Sequence, residues 1–190
     1  MSSKTRLSLV RLVLSALFLA MAMVLPFLTG QIPEIGKALL PMHLPVLLCG
    51  FVCGWPYGLA VGVISPLLRL ALFGMPPMPT ALTMAVELAV YGLISGWLYH
   101  RLPRRVPMIY LSLLAAMAGG RIAWGLAQLV VWGVTGNPFG WAAFFSGAVL
   151  TAIPGIVAQI ILVPLLVLGL QSARLLPEDR LGQPAASENA

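Results

Sequence analysis

Residues 38–68, ALLPMHLPVLLCGFVCGWPYGLAVGVISPLL, run for 31 positions without a formal charge. A helix crosses the hydrocarbon of a bilayer in about 20 apolar residues, fewer where neighbours shield it, so the run is too long for one ordinary span. Its centre, Gly54-Trp55-Pro56-Tyr57-Gly58, has the glycine and proline content of a turn. On that reading a second span runs from about His43 to a few residues past Gly54, and a third from about Tyr57 to Phe73. The alternative is one continuous helix, because Gly50, Gly54, Gly58 and Gly62 recur at four-residue spacing and would form a single small-residue face.

Charge placement decides between them. The remaining spans are expected at about Leu9 to Leu28, Thr80 to Tyr99, Met108 to Val134 and Trp141 to Leu168. Met75-Pro76-Pro77-Met78-Pro79 cannot continue a helix and makes an outer turn, and Thr135-Gly136-Asn137-Pro138 divides the last long apolar region. With six spans Lys4, Arg6, Arg11, Arg101, Arg104, Arg105, Arg174 and Arg180 lie on one side, and only Lys37 lies in a loop on the other. Merging the second and third spans would send the 101–105 cluster across the membrane from the basic N-terminus, against the positive-inside bias. The expected fold is therefore an all-α integral membrane protein of six transmembrane helices with both termini cytoplasmic. Residues 1–176 form a single domain, and residues 177–190 form a polar, frayed cytoplasmic tail.

Composition leads to the same class. The 190 residues are 60% apolar and 8% charged, with a net charge of +6, and the mean hydropathy is +0.99. Too few polar side chains exist to cover a water-facing surface, which excludes a soluble enzyme, a nucleic-acid binder and a disordered chain. Cytoplasmic loops account for the basic excess; so few charges form no phosphate-tracking stripe. The run after Arg11 is longer than the apolar core of a cleavable signal. Cys49 and Cys53, with His43 the only other ligand type nearby, supply too few groups for zinc and are read as buried packing residues.

Three charged residues fall inside spans: Arg69, Glu87 and Arg121. Ionisable groups at depth are costly and mark functional sites unless they only neutralise one another. At 100° per residue Thr80, Thr83, Met84, Glu87 and Tyr91 share one sector of the fourth span, with Gly92 and Gly96 opposite. Arg121, Trp124 and Gln128 share one face of the fifth, and Ala115, Gly119, Ala123 and Ala127 line the other. Two helices that each carry a polar stripe backed by a packing stripe border an internal cavity. By residue count from the outer ends, Glu87 lies about 10 Å deep, level with Gln128, while Arg121 lies roughly 20 Å deep. Whether Glu87 meets Arg121 or Arg69, and whether the pairing serves a solute or only locks the bundle, stays open. Tyr91 and Trp124 serve equally as core aromatics. His43 is read as an interfacial helix-end residue, and Gln159 as a helix–helix hydrogen-bonder.

No phosphate-binding G-x-x-x-x-G-K-[ST] loop, H-E-x-x-H motif, nucleophile elbow or acidic pair is present. The chain is not read as an enzyme and does not hydrolyse ATP alone. A cavity-bearing bundle without a motor is either an autonomous pathway or a subunit driven by others.

These features resemble a known family. A long outer segment, about Thr29 to Met42, follows the first span. With it go His43-Leu44-Pro45-Val46-Leu47-Leu48-Cys49-Gly50, Ser65-Pro66-Leu67-Leu68-Arg69, Phe73-Gly74-Met75-Pro76-Pro77 and Glu87-Leu88-Ala89-Val90-Tyr91-Gly92. Ala16-Leu17-Phe18-Leu19-Ala20 matches an A-x-x-x-A pattern that also occurs in many other membrane helices. Together they look like the substrate-binding S component of an energy-coupling factor (ECF) vitamin transporter. The resemblance implies capture of a vitamin or related micronutrient at the outer face of the cell membrane, under a cap formed by the loop after the first span. It further implies a transmembrane coupling subunit and two cytoplasmic ATPases as partners, with ATP used by those ATPases and no cofactor or metal bound by this chain. The substrate site would comprise Arg69, Glu87, Tyr91, Arg121, Trp124, Gln128 and Asn137, and Ala16 and Ala20 would face the coupling subunit. The competing function is an autonomous secondary transporter or permease with Glu87 as a proton or ion site. Two arginines suit a carboxylate or phosphate and the aromatics a flat ring, so pantothenate, pyridoxine- or pyrimidine-type compounds, folate and riboflavin all remain candidate ligands.

Overall fold

The computed structural model describes residues 3–28, 39–103, 105–135, 152–173 and 176. Among them are six helices: α1 (Ser3–Leu28), α2 (His43–Cys53), α3 (Trp55–Phe73), α4 (Met78–Arg101), α5 (Val106–Thr135) and α6 (Ile153–Ser172). All except α2 are long and apolar enough to cross a membrane. Asn137, residues 141–151 of the expected last span, most of the expected outer segment and the 177–190 tail lie outside the described residues.

The turn expected near Gly54 is one residue long. Gly54 adopts φ 94°, a conformation that side-chain-bearing residues rarely take, and so reverses the chain between α2 and α3. Its N–H closes α2 on the Gly50 carbonyl, and its own carbonyl accepts the first α3 bond from Gly58. Proline is tolerated in a first helical turn, where no intrahelical donor is needed, so α3 starts at Trp55 rather than Tyr57 and includes Pro56. The same rule corrects the outer proline turn. Gly74 ends α3 in the left-handed conformation, and α4 then begins at Met78 with Pro79 in its first turn.

Both readings of the glycines hold a part of the answer. Gly54 breaks the helix, yet Gly50, Gly58 and Gly62 still act together as a packing face against α4. A Cβ on Gly58 would lie 2.6 Å from the Gly92 carbonyl oxygen and 2.8 Å from the Gly50 Cα, and one on Gly62 would strike the Leu88 carbonyl. On α4 the seam is completed by Gly92, set against Gly58, and by Gly96, where a Cβ would lie 2.8 Å from the Gly50 carbonyl oxygen. Small residues let helix backbones touch where apolar lipid gives no hydrophobic drive for association. α4 is accordingly the best-packed element, in contact with α3, with α5 and with α2, which runs alongside it from His43 at Glu87 to Gly50 at Gly96.

At 11 residues α2 is only about 16 Å long, and ten of its residues are buried. A helix apolar on every side belongs in a core; α1, α3, α4 and α6 surround this one. Paired contacts fix the directions of the rest. Arg69 with Met23 and Phe73 with Phe27 show α1 and α3 running together. Gln171 bonded to Tyr99 at 2.6 Å does the same for α6 and α4. The chain thus alternates in direction, and Arg6, Arg101 and Arg105 collect at one end of the bundle.

Because the Gly58–Gly92 contact is backbone to backbone, Gly92→Ala is expected to destabilise the bundle by about 1–3 kcal/mol, the usual cost of overpacking. Gly169→Ala, on an open face with nothing within 4 Å, is expected to change stability by less than about 0.5 kcal/mol. Thermal unfolding of the two variants in detergent checks this, and equal melting points would show that the seam does not hold α3 to α4.

Candidate substrate site

Opposite the glycine seam, the polar face of α4 meets α2 and α5. Glu87 is 2% exposed, and its Oε1 lies 3.1 Å from Arg121 Nη1 and 3.3 Å from His43 Nε2. Tyr91, one turn along α4, packs its ring edge-on to His43 with centroids 5.1 Å apart. Gly120 makes room for that ring on α5, since a Cβ there would strike Tyr91 Cδ2 and Cε2. Gly119, beside it, admits Ile94 of α4. The expected packing stripe of α5 therefore does face α4 at Gly119, and a second glycine beside it seats the tyrosine.

The structure resolves which arginine meets Glu87. Counting inward from the outer ends had left Arg121 roughly 10 Å too deep, on the premise that those ends are level. They are not. From Glu87 to the end of α4 at Arg101 is 14 residues, and from the start of α5 at Val106 to Arg121 is 15. At about 1.5 Å per residue these lengths agree within ~2 Å, so the helices are flush at the basic end and α5 projects roughly 7 Å beyond α4 at the other. Glu87 and Arg121 are consequently level.

Arg69 is placed elsewhere. Its Nη1 donates to the Met23 carbonyl oxygen at 3.0 Å, and its guanidinium lies 5.2 Å and 5.5 Å from the Phe27 and Phe73 ring centres. It fastens the end of α3 to the end of α1. Trp124 and Gln128, half-buried, lie about one and two turns beyond Arg121 on α5. Thr83 turns its hydroxyl back to the Thr80 carbonyl at 3.1 Å.

A cavity of about 250 Å³ opens beside the cluster, lined by Tyr91, Leu114, Met117, Ala118, Arg121, Ile156 and Ile160. Around it many polar atoms are buried without a hydrogen-bond partner among the described residues: both nitrogens of His43, Glu87 Oε1, Tyr91 Oη, Arg121 Nε and Nη2, and both amide atoms of Gln159. The Glu87 contacts are short ion pairs without hydrogen-bond alignment. Native interiors satisfy nearly all such groups, because each orphan costs about 1–3 kcal/mol. Of these side chains, Tyr91 and Arg121 line the cavity. Among the described residues no three His, Cys, Asp or Glu side chains gather as a metal site.

Sequence reasoning missed two of these residues. His43 is 1% exposed, not interfacial. The available signal was the all-apolar α2 sequence: a helix too apolar to show any face to water buries its one strong hydrogen-bonding side chain as well. Gln159, also 1% exposed, makes no helix–helix hydrogen bond among the described residues. It falls on the Gly155, Gln159, Val163, Val167 stripe by which α6 faces the bundle.

A sequence profile of the family described as "ECF transporter, substrate-specific component" matches residues 10–167. The chain belongs to that family. No curated protein and no solved structure matches it. An S component is a transport subunit and not an enzyme, and five apolar helices long enough to span make this one a multi-pass membrane protein. The matched region contains α2 to α5 entire, and with them His43, Glu87, Tyr91, Arg121 and the cavity wall.

Residues that share one interaction couple energetically, by about 0.5–3 kcal/mol in double-mutant cycles. A cycle between Glu87→Gln and Arg121→Gln is expected to give a coupling in that range, read from unfolding in detergent. The cycle between Glu87→Gln and Arg69→Gln is expected to give less than about 0.5 kcal/mol. The reverse order would place Arg69, not Arg121, as the partner of Glu87.

Proposed function

We propose that this S component captures a vitamin or related micronutrient in the α4–α5–α6 cavity and delivers it across the cell membrane as part of an ECF importer. The observation that carries the reading is the set of buried, unsatisfied hydrogen-bonding atoms on Tyr91 and Arg121, the two polar residues that line a cavity of about 250 Å³. A bundle that only needed Glu87 to neutralise Arg121 would gain nothing from leaving the rest of the guanidinium and a whole amide without partners.

Topology follows from the same physics. Six crossings with both ends cytoplasmic put Arg6, Arg101 and Arg105 on the inner side, as positive-inside bias favours. The short α2 crosses because protein, not lipid, surrounds it, so the thickness of the hydrocarbon does not set its length. The cavity then lies near mid-depth, with the longer outer end of α5 beside it. Arg69, Trp124 and Gln128 belong to this proposal as residues toward the outer side, and Asn137, outside the described residues, is kept from the sequence reading.

Delivery needs a motor the chain lacks. We assign it to a transmembrane coupling subunit and two cytoplasmic ATPases, which use the ATP. Ala16 and Ala20 are exposed on α1 among Leu12, Val13, Leu17 and Val24, and so offer a small-residue strip for close helix approach.

Arg121→Ala or Glu87→Ala is expected to weaken ligand binding about 10- to 100-fold, the loss of one hydrogen bond to a charged group, with membrane insertion retained. Calorimetry on the purified chain checks this; unchanged affinity in both variants makes the cluster purely structural. Ala16→Trp or Ala20→Trp is expected to leave binding intact and to abolish co-purification with the coupling subunit. In liposomes the chain alone is expected to bind without transporting. Uptake by the chain alone would favour an autonomous permease with Glu87 as its ion site.

A further inference from the structure

The basic end of the bundle carries aromatic side chains that its packing does not use. Trp55, at the start of α3, and Trp97, near the end of α4, are 47% and 44% exposed. Their backbones are neighbours, since a Cβ on Gly96 would lie 2.5 Å from the Trp55 nitrogen. Two indole-bearing residues therefore stand at one level on adjacent helices. One turn past Trp97, the Arg101 guanidinium folds back over the indole, 4.8 Å from its ring centre. A guanidinium stacked in this way is held in place while its fork of N–H donors still points outward. The only Asp or Glu among the described residues is Glu87, 14 residues away along α4, so no described carboxylate pairs with Arg101.

Depth and direction both point to lipid. Trp97 lies about 15 Å along α4 from Glu87, which is half the thickness of the hydrocarbon. With Glu87 near mid-depth, the two indoles lie where acyl chains meet headgroups, and the Arg101 guanidinium lies level with the phosphates. Leu82, Val86 and Trp97 are exposed on α4 within a sector of about 60°, a strip on which an acyl chain can lie. The coupling-subunit strip proposed above faces another way. Tyr57, two residues on from Trp55 and so about 160° around α3, donates to the Ser8 carbonyl of α1 at 3.4 Å. α1 is thus on the far side of α3 from Trp55.

We infer that Trp55, Trp97 and Arg101 form a binding site for an anionic phospholipid of the inner leaflet. The guanidinium takes the phosphate, whose paired oxygens match its fork of donors. The indole N–H groups serve the glycerol-ester oxygens, and an acyl chain follows the Leu82–Val86 strip. Charge selects the anionic lipid, because a zwitterionic headgroup would bring its own cation to a patch that holds a cation and no described acid. The inference shares with the proposed function only the inward placement of the basic end, and is independent of substrate capture.

The test uses the full-length chain in mild detergent, with dioleoyl phosphatidylglycerol and dioleoyl phosphatidylcholine as probes. Native mass spectrometry is expected to show the phosphatidylglycerol retained in preference, and thermal unfolding to show stabilisation by it alone. Arg101→Gln is expected to lower its retention about fivefold or more, and Arg6→Gln, at an exposed arginine of the same end on α1, by less than about twofold. Trp97→Leu, which keeps an apolar side chain, is expected to lower it about two- to fivefold. Equal losses in Arg6→Gln and Arg101→Gln would mean diffuse attraction to the basic end, and equal retention of both lipids an apolar contact only; either overturns the inference. Stabilisation by glycerol 3-phosphate, which has no acyl chain, assigns the patch to a soluble phosphate and overturns it as well. So does loss of co-purification with the coupling subunit and ATPases in Arg101→Gln at unchanged lipid retention, which assigns the patch to a protein. Ligand binding at the cavity is expected to be unaffected by Arg101→Gln, so failure of either reading leaves the other standing.

Discussion

Backbone contact between Gly58 of α3 and Gly92 of α4 is the constraint on which the bundle rests. With no side chain between them, the two helices have little freedom to rotate or slide. The one-residue reversal at Gly54 then brings Gly50 of α2 to the same spot. Three helices are thereby locked through glycines alone, and the faces turned away from the seam are fixed too. Glu87 and Tyr91 lie about half a turn of α4 from Gly92 and Gly96, so the seam that draws α3 in also aims the carboxylate at α2 and α5. Packing and site are two faces of one helix, set by a single contact.

The seam also explains why so short a helix as α2 stands in the centre. Buried on nearly every side, it needs no polar face and meets no lipid. Its first residue, His43, can then carry an imidazole into the interior beside Glu87 and Tyr91. Leu40, in the left-handed conformation at φ 50°, leads the chain into this position, and its carbonyl accepts the His43 N–H at 3.0 Å. Strained backbone of that kind for a branched residue persists only where surrounding structure enforces it.

Much of the helix plan was legible in the sequence, because apolar runs, glycine–proline turns and charge placement are local signals. The stripes on α4 and α5 were legible for the same reason: helical periodicity depends on one helix at a time. Register between helices is not local. Nothing in the sequence told that α4 and α5 are flush at the basic end, so depths counted from the other end misplaced Arg121 against Glu87. Nor did the sequence show that the parallel pair α2 and α4 brings residue 43 to residue 87. Arg69 illustrates the complementary error. Its charge inside a span made it a candidate for the site, but α1 lies against that end of α3, and Met23, Phe27 and Phe73 take up its guanidinium. The family was legible from motifs spread over most of the chain, whereas the site depended on contacts among four helices.

The Glu87–Arg121 pair raises one question that packing alone does not answer. Buried ion pairs contribute little net stability, since the cost of removing both charges from water roughly cancels their attraction, and apolar residues of similar size often do better. A pair kept for stability should at least satisfy its own hydrogen bonds. Here Arg121 spends one nitrogen on Glu87 and leaves Nε and Nη2 without partners at the cavity wall. Glu87 thus acts as an anchor that holds the guanidinium in place and matches its charge. A neutral amide could offer donors but would lack that fixed, electrostatically enforced aim. A lone arginine would offer donors at the cost of a bare charge in an apolar bundle. The pair alone keeps a guanidinium inside this apolar bundle with its formal charge matched.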